Sequence, residues 1–368
     1  MSITGVQLVT RSKTVVRRGL NGLRTVDNNL QWLAQVSFGS PAQQFELLID
    51  TGSSNVLVTS TECSRPECRT KSPRSYDLAN SYRFGRTYSM MFAGGTSLVN
   101  ELVKDVVTLG EHQIKSQIFG ATSEIQNSDI DFDGILGLGF KTIIQPSDAG
   151  INTVLDAMFD QKLASIFFII HIKITEKLFA VKFIKQELGG GGELTFGRYN
   201  KSIILGDVIW VNNTDKYFWT AILDDIYVDD IDLEVGGPFI FDTGATYIYA
   251  PCSIVELIYD SIPGSQLFVD GTWVLPCNHT DNKYDVKLLF KDHNFTIPIQ
   301  DFIQEPVNAT GLPDDIDPTG LCLGGAQQSD SDYIIGAIFF KLFYVIFDLD
   351  KNRIGLAYRE DVHGSDSY

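Results

Sequence analysis

The chain has 368 residues, 44% of them hydrophobic and 20% charged, with 32 glycines and a formal net charge of −17. That is enough apolar residue to bury two cores, and too little charge for a disordered or coiled-coil chain. The acidic balance speaks against nucleic acid and against an anionic membrane surface, whose phosphates carry the same sign.

Taken in order, the first ten residues, MSITGVQLVT, lack the basic start and long apolar core of a secretory signal. Arg11, Lys13, Arg17, Arg18 and Arg24 then follow, so that with Asp27 the first 27 residues carry +4 and the remainder −21. A basic arm on an acidic body reads either as a pro-segment that docks electrostatically or as a disordered leader. From residue 31 the pattern is that of strands. QWLAQVSFG alternates, Gly-Ser-Pro turns, and FELLID runs apolar into Thr51-Gly52. Short β-branched and aromatic runs, broken by Gly, Asn and Asp, continue to the end. Helical spacing is convincing only near 152–162 and 253–262. The stretch 165–187 is dense in Ile, Phe and Lys and has no turn residue, so it reads as two buried strands or as an insertion. Its most apolar part, 166–172, is too short to span a membrane and contains His171.

Five cysteines limit the chemistry further. Cys63 and Cys68 are close enough to close a small loop, Cys277 and Cys322 a longer one, and Cys252 is left over; spacing alone does not prove connectivity. No Cys or His cluster has zinc spacing, so no metal is implied. Five Asn-x-Ser/Thr triplets, at Asn200, Asn212, Asn278, Asn294 and Asn308, lean with the cysteine pairs toward the secretory route. The acidic set Asp224, Asp225, Asp229, Asp230, Asp232 and Glu234 lacks the turn glycine and final glutamate of a calcium loop, and reads as a solvated strand edge. The four glycines at 189–192 lack the Lys-Ser/Thr of a phosphate loop and read as a turn. The five histidines have no Ser or Cys nucleophile in a recognisable setting.

An internal repeat is the strongest signal. ELLIDTGSSN (46–55) and PFIFDTGATY (238–247) share an apolar run followed by Asp-Thr-Gly, and GILGLGF (134–140) and YIIGAIFF (333–340) each place two apolar residues before a Gly. Asp50 precedes Gly137 by 87 residues, and Asp242 precedes Gly336 by 94. Two signals recurring at nearly the same separation imply two similar lobes, each supplying one Asp. One Asp-Thr-Gly alone is a turn signal. Two paired copies put two carboxyls in one site.

Facing carboxyls resist double ionisation and share a proton. The charged member can activate a water as general base while the protonated member donates to a carbonyl oxygen. The Gly after each Asp-Thr lets backbone N–H groups approach the carboxyl, and each Thr hydroxyl is able to donate across to the opposite loop.

FELLIDTGSSN, FIFDTGATY and FDGILGLG resemble the pepsin-like aspartic proteases from about residue 31 to 360, with the fungal secreted, polyporopepsin-type branch nearest in flavour. The resemblance implies an all-β, bilobed fold of two similar barrel-like lobes around a central cleft, with a hairpin flap over an extended peptide. It implies residues 1–27 as leader or pro-segment remnant, 28–199 as the N-terminal lobe and 200–368 as the C-terminal lobe. Asp50 and Asp242 become the catalytic pair, supported by Thr51, Gly52, Ser53, Thr243 and Gly244. Cys63 with Cys68 matches the family's small disulfide, and Cys277 with Cys322 its C-lobe disulfide. YVIFDLDKNRIGLA (344–357) resembles the closing strands.

Four departures stand out. The flap tyrosine of the family falls on Ala93, between Phe92 and Gly94, and the tryptophan that bonds it falls on Leu57. Flap closure then rests on Phe92 or Tyr88. Ala245 stands where Ser or Thr is usual, so Asp242 loses a donor to its charged form and is expected to titrate higher than in relatives with a hydroxyl there. Ala337 stands where many relatives have Asp, without consequence for the dyad. About a dozen residues, roughly 167–176, exceed the family's single short strand, as a loop insertion or translated intron would.

The expectation is an aspartic-type endopeptidase acting on polypeptides with large apolar residues beside the bond. It is expected to be monomeric, blocked by pepstatin-like inhibitors, free of cofactor, and secreted or vacuolar. The rival expectation is a catalytically weak or inactive binding protein on the same fold.

Overall fold

The computed structural model describes the backbone of residues 5–10 and, beyond it, residues 31–63, 68, 74–92, 95–110, 112–126, 133–160, 176–188, 190–268, 271–279, 282–307 and 317–364. The basic arm, Ala93, Gly94 and nearly all of 167–176 lie outside the described residues.

Strands dominate, and their inward faces follow from the alternation in the sequence. In Gln43–Asp50 the buried Phe45, Leu47 and Ile49 point one way, and the flanking Gln44 stays exposed. One 13-stranded sheet runs through the molecule, with smaller sheets of five, four and four strands in the second half of the chain. The large sheet joins the halves. The closing strand Tyr344–Asp348 pairs antiparallel with Leu178–Phe183, Val345 standing opposite Val181. The strand Gly5–Thr10 lies between Gly192–Phe196 and Trp32–Phe38, antiparallel to both, so these residues are built into the central sheet.

Each half contains the same unit, laid out on its repeat. In the first, Gln43–Asp50 pairs parallel with Gly134–Gly137, which pairs antiparallel with Val56–Thr59. In the second, Gly237–Phe241 pairs parallel with Ile334–Ile335, which pairs antiparallel with Ile248–Ala250. A strand from far along the chain thus inserts between the two strands that flank each Asp-Thr-Gly. The fold is two-lobed and all-β, and among the described residues helices are short segments such as Val154–Asp160 and Cys252–Asp260. The first of these falls within the helical expectation at 152–162, the second in step with 253–262.

Aromatic side chains fill the core. Phe241, Phe290, Phe295, Phe339 and Phe343 pack edge-on or tilted in the second half. Trp219 is fully buried against Phe140, Phe179 and Phe347 and donates from Nε1 to the Leu138 carbonyl at 3.1 Å, tying the second half to the first. Cys63 is bonded to Cys68 and Cys277 to Cys322, while Cys252 is a free, exposed thiol. Among the described residues no helix is long and apolar enough to cross a membrane, and no His/Cys/Asp/Glu group is arranged to hold a metal ion.

Candidate active site

The two Asp-Thr-Gly turns meet back to back. Each follows an apolar strand that ends in a buried core, so the chain is anchored up to the aspartate and free to turn after it. Thr51 N–H donates to Thr243 Oγ1 at 3.0 Å, and Thr243 N–H donates to Thr51 Oγ1 at 3.0 Å. The hydroxyls pass the interaction on, Thr51 Oγ1 to the Phe241 carbonyl at 2.7 Å and Thr243 Oγ1 to the Ile49 carbonyl at 2.8 Å. Four bonds in a symmetric clasp, all buried, hold the loops in register across the lobes. Each hydroxyl is donor and acceptor at once, a pattern that Ser or Thr satisfies and Ala or Val cannot.

Gly52 N–H donates to Asp50 Oδ1 at 2.9 Å and to Asp242 Oδ1 at 3.1 Å, so one amide touches both carboxyl groups and sets them side by side. Gly244 N–H donates to Asp242 Oδ1 at 2.8 Å. A Cβ on Gly52 would lie 2.3 Å from Asp242 Oδ2, and one on Gly244 would lie 2.7 Å from Asp50 Oδ1. Only glycine leaves room for both carboxyls here. Behind the loops, Leu138 N–H donates to the Asp50 carbonyl at 2.7 Å and Asp242 N–H to the Ile335 carbonyl at 3.0 Å.

The carboxyls differ in their neighbours. Burial raises Asp50 above its ordinary value, and the Ser53 hydroxyl, donating to Oδ2, opposes that. Asp242 is raised well above its ordinary value, first by burial and then by the charge of Asp50. Ala245, the counterpart of Ser53, offers it no hydroxyl. A cavity of about 670 Å³ opens beside the second loop, lined by Tyr247, Tyr249, Thr272, Gln327, Gln328 and Ser329 among others. Burial, then the charge of Asp242, pushes the Tyr249 hydroxyl up to about 12.

Asp50, Thr51, Gly52, Ser53, Asp242, Thr243 and Gly244 therefore come together. Phe92 does not join them. It packs, half-buried, on a separate cluster with Leu33, Leu48, Leu57 and Leu98, and its N–H donates to the Thr96 carbonyl at 2.9 Å near the hairpin tip. The two disulfides belong to the lobes rather than to the pair.

Two residues that support the site, Asn55 and Trp219, carry no role in the sequence reading, and Tyr88, expected there to serve flap closure, joins them. Asn55 clasps Gln145, accepting from its N–H at 2.9 Å and donating to its carbonyl at 2.5 Å. Trp219 holds the Leu138 carbonyl, one residue from the ladder beneath Asp50. Tyr88 lies against Asn55. Asn55 offered a signal, a polar residue between the Asp-Thr-Gly turn and an apolar strand.

Hydrolysis of an amide by a pair of carboxyls is the chemistry this geometry serves, and the class is that of the aspartic-type endopeptidases. The chain belongs to the eukaryotic aspartyl protease family, which it matches over residues 31–359. It is 28% identical over 342 residues to cathepsin E of Mus musculus, covering 89% of this chain and 80% of that one. It is 29% identical over 344 residues to the vacuolar aspartic protease of Candida albicans, covering 89% and 75%. It is 30% identical over 348 residues to the probable vacuolar protease A of Arthroderma benhamiae, covering 90% and 80%. These names favour the enzyme over the inactive binding protein. They give no support to the polyporopepsin-type branch in particular.

Proposed function

We propose that Asp50 and Asp242 are the catalytic pair and that a water held between them attacks the scissile carbonyl. Asp50, with the Ser53 hydroxyl on its charged form, takes a proton from the water as the C–O bond forms. Asp242, which burial and the neighbouring charge keep protonated, donates to the carbonyl oxygen. The tetrahedral species then breaks its C–N bond as the leaving nitrogen takes the proton held on Asp50, while a hydroxyl of that species returns its proton to Asp242 and becomes the carbonyl of the new acid. The observation that carries this reading is the Gly52 N–H shared by the two carboxyls, since groups that close titrate as a pair. Thr51, Thr243, Gly52 and Gly244 orient the pair.

The proposed substrate is an extended polypeptide with large apolar residues flanking the bond, and pepstatin-like peptides are the proposed inhibitors. Residues 28–199 and 200–368 are the proposed lobes, one aspartate in each. The 1–27 segment is the proposed pro-segment, its strand at Gly5–Thr10 seated in the central sheet. A secreted or vacuolar location is proposed from the sequons, the disulfides and the vacuolar names of two relatives.

The test is hydrolysis of a denatured protein between about pH 3 and 7, by the chain and by Asp50→Ala, with and without pepstatin. Activity that the substitution abolishes and the inhibitor blocks establishes the pair. A folded, inactive wild-type chain would return the weight to a binding role.

A further inference from the structure

The hairpin formed by Tyr82–Met91 and Ser97–Leu109 carries Tyr88 opposite Asn100. The Tyr88 hydroxyl accepts from Asn55 Nδ2 at 3.3 Å. Asn55 is fixed in turn. Its side chain clasps Gln145, and its carbonyl accepts from Gly137 N–H at 3.0 Å, the residue opposite Asp50 in the parallel ladder. Two interactions therefore lead from the hairpin to the strand beside Asp50.

The space for this contact is built in. A Cβ on Gly120 would lie 2.5 Å from Tyr88 Oη and 2.7 Å from Leu57 Cδ2, so the hydroxyl and Leu57 share a slot that only a glycine leaves open. The ring packs between two apolar clusters, one with Leu57 and Leu98, the other with Leu102, Ile144 and Ile151. Burial raises the phenol above its ordinary value, so it stays neutral throughout acid and neutral pH. Leu57, fully buried, has no polar atom to hold a hairpin. On the same strand Arg86 pairs with Asp148 at 2.5 Å, but both side chains are exposed and screened.

We propose that Tyr88, acting through Asn55, sets the position of the hairpin relative to the Asp50–Asp242 pair and so governs how tightly a peptide is held. The inference rests on the protease reading and deepens it. Tyr88 is a positioning residue, since it touches Asn55 and apolar side chains rather than the carboxyls. Ser97–Leu109 is held along its length by His112–Gln126, whereas Tyr82–Met91 is an edge strand paired on one side only, so a polar anchor on that edge changes the population of its seated state.

The test is Tyr88→Phe, which keeps the ring and removes the hydroxyl. With a peptide substrate, kcat/KM should fall about five- to tenfold, mostly through KM, with the pH profile unmoved. Amide hydrogen exchange at 86–91 and 97–101 should quicken while the core strands keep their protection. Gly120→Ala, which expels the hydroxyl from its slot, should quicken the same amides. The exchange is also measured in Asp50→Asn with and without Tyr88→Phe, where no turnover is needed. Unchanged exchange with unchanged KM in Tyr88→Phe would overturn the proposal and leave Tyr88 as core filling. An Asp50→Asn enzyme that still cleaves would overturn the protease reading instead, and the exchange result would still decide the anchor.

Discussion

The Asp50 and Asp242 loops are built on one backbone plan and differ in one hydroxyl. Both follow a strand that pairs parallel with a remote one, both place a Thr in the clasp, and both carry a Gly whose N–H reaches a carboxyl. Ser53 donates to Asp50, whereas Ala245 has nothing to donate to Asp242. The outcome is asymmetry within symmetry. Asp242 is raised well above its ordinary value, whereas Asp50 has a bonded hydroxyl opposing its rise. A symmetric scaffold brings the carboxyls together, and their side-chain donors are unequal.

Removing either carboxyl tests the comparison most severely. Asp50→Asn and Asp242→Asn should each lower kcat/KM by at least about 10³-fold with the fold intact by circular dichroism. A variant that keeps a tenth of the activity would end the paired reading.

The glycines come next. Gly52→Ala should cost about 10²-fold in kcat/KM, because its Cβ would displace the Asp242 carboxyl. Gly244→Ala, with a longer approach to Asp50, should cost less. Equal losses in the two variants would show that the loops tolerate the methyl alike.

The clasp should read out in stability. Thr51→Val and Thr243→Val each leave a buried N–H and a buried carbonyl without a partner, and each should cost about 1–3 kcal/mol in urea unfolding. The double variant should cost less than the sum, since the four bonds share atoms.

The hydroxyl difference gives a smaller, directional effect. Ala245→Ser adds a donor to the charged form of Asp242, so the upper limb of the pH–rate profile should move to lower pH. Ser53→Ala removes the donor from Asp50 and should raise the pH at which the lower limb appears. Limbs that stay in place would show that these hydroxyls do not tune the pair.

Stability should follow the same groups, with a sign opposite to that of a salt-bridged carboxylate. Both folded carboxyls are raised above the unfolded value near 3.8. The native state therefore holds more protons above that pH. Stability is full below it and is lost as pH rises through the folded values. Asp242→Asn should flatten that decline in a pH series of unfolding midpoints, and an unchanged slope would assign the decline elsewhere.

The repeat of Asp-Thr-Gly and of apolar-apolar-Gly was legible because both signals are local. A strand must be apolar to be buried, and a turn beside a carboxyl must have a glycine. The contacts that position those turns were not legible. Trp219 meets Leu138 across 81 residues of chain, and Asn55 meets Gln145 across 90. Nothing near either residue indicates the partner. Phe92 illustrates the limit from the other side. Counting along the hairpin places it beside the flap, but that count does not show the Leu33, Leu48, Leu57 and Leu98 cluster on which it packs. Residues 5–10 show it again, since a short apolar stretch ahead of a basic run does not announce a place in the central sheet.

What this sequence determines by itself is which residues meet: two carboxyls, two hydroxyls and two glycines, set by a repeat whose period matches a strand-turn-strand unit in each lobe. What only the tertiary structure decides is how they meet. The shared Gly52 N–H, the crossed Thr bonds and the seat of Tyr88 against Asn55 depend on ångström distances between segments far apart in the chain. Those distances come from the packing of whole sheets, and no local pattern encodes them.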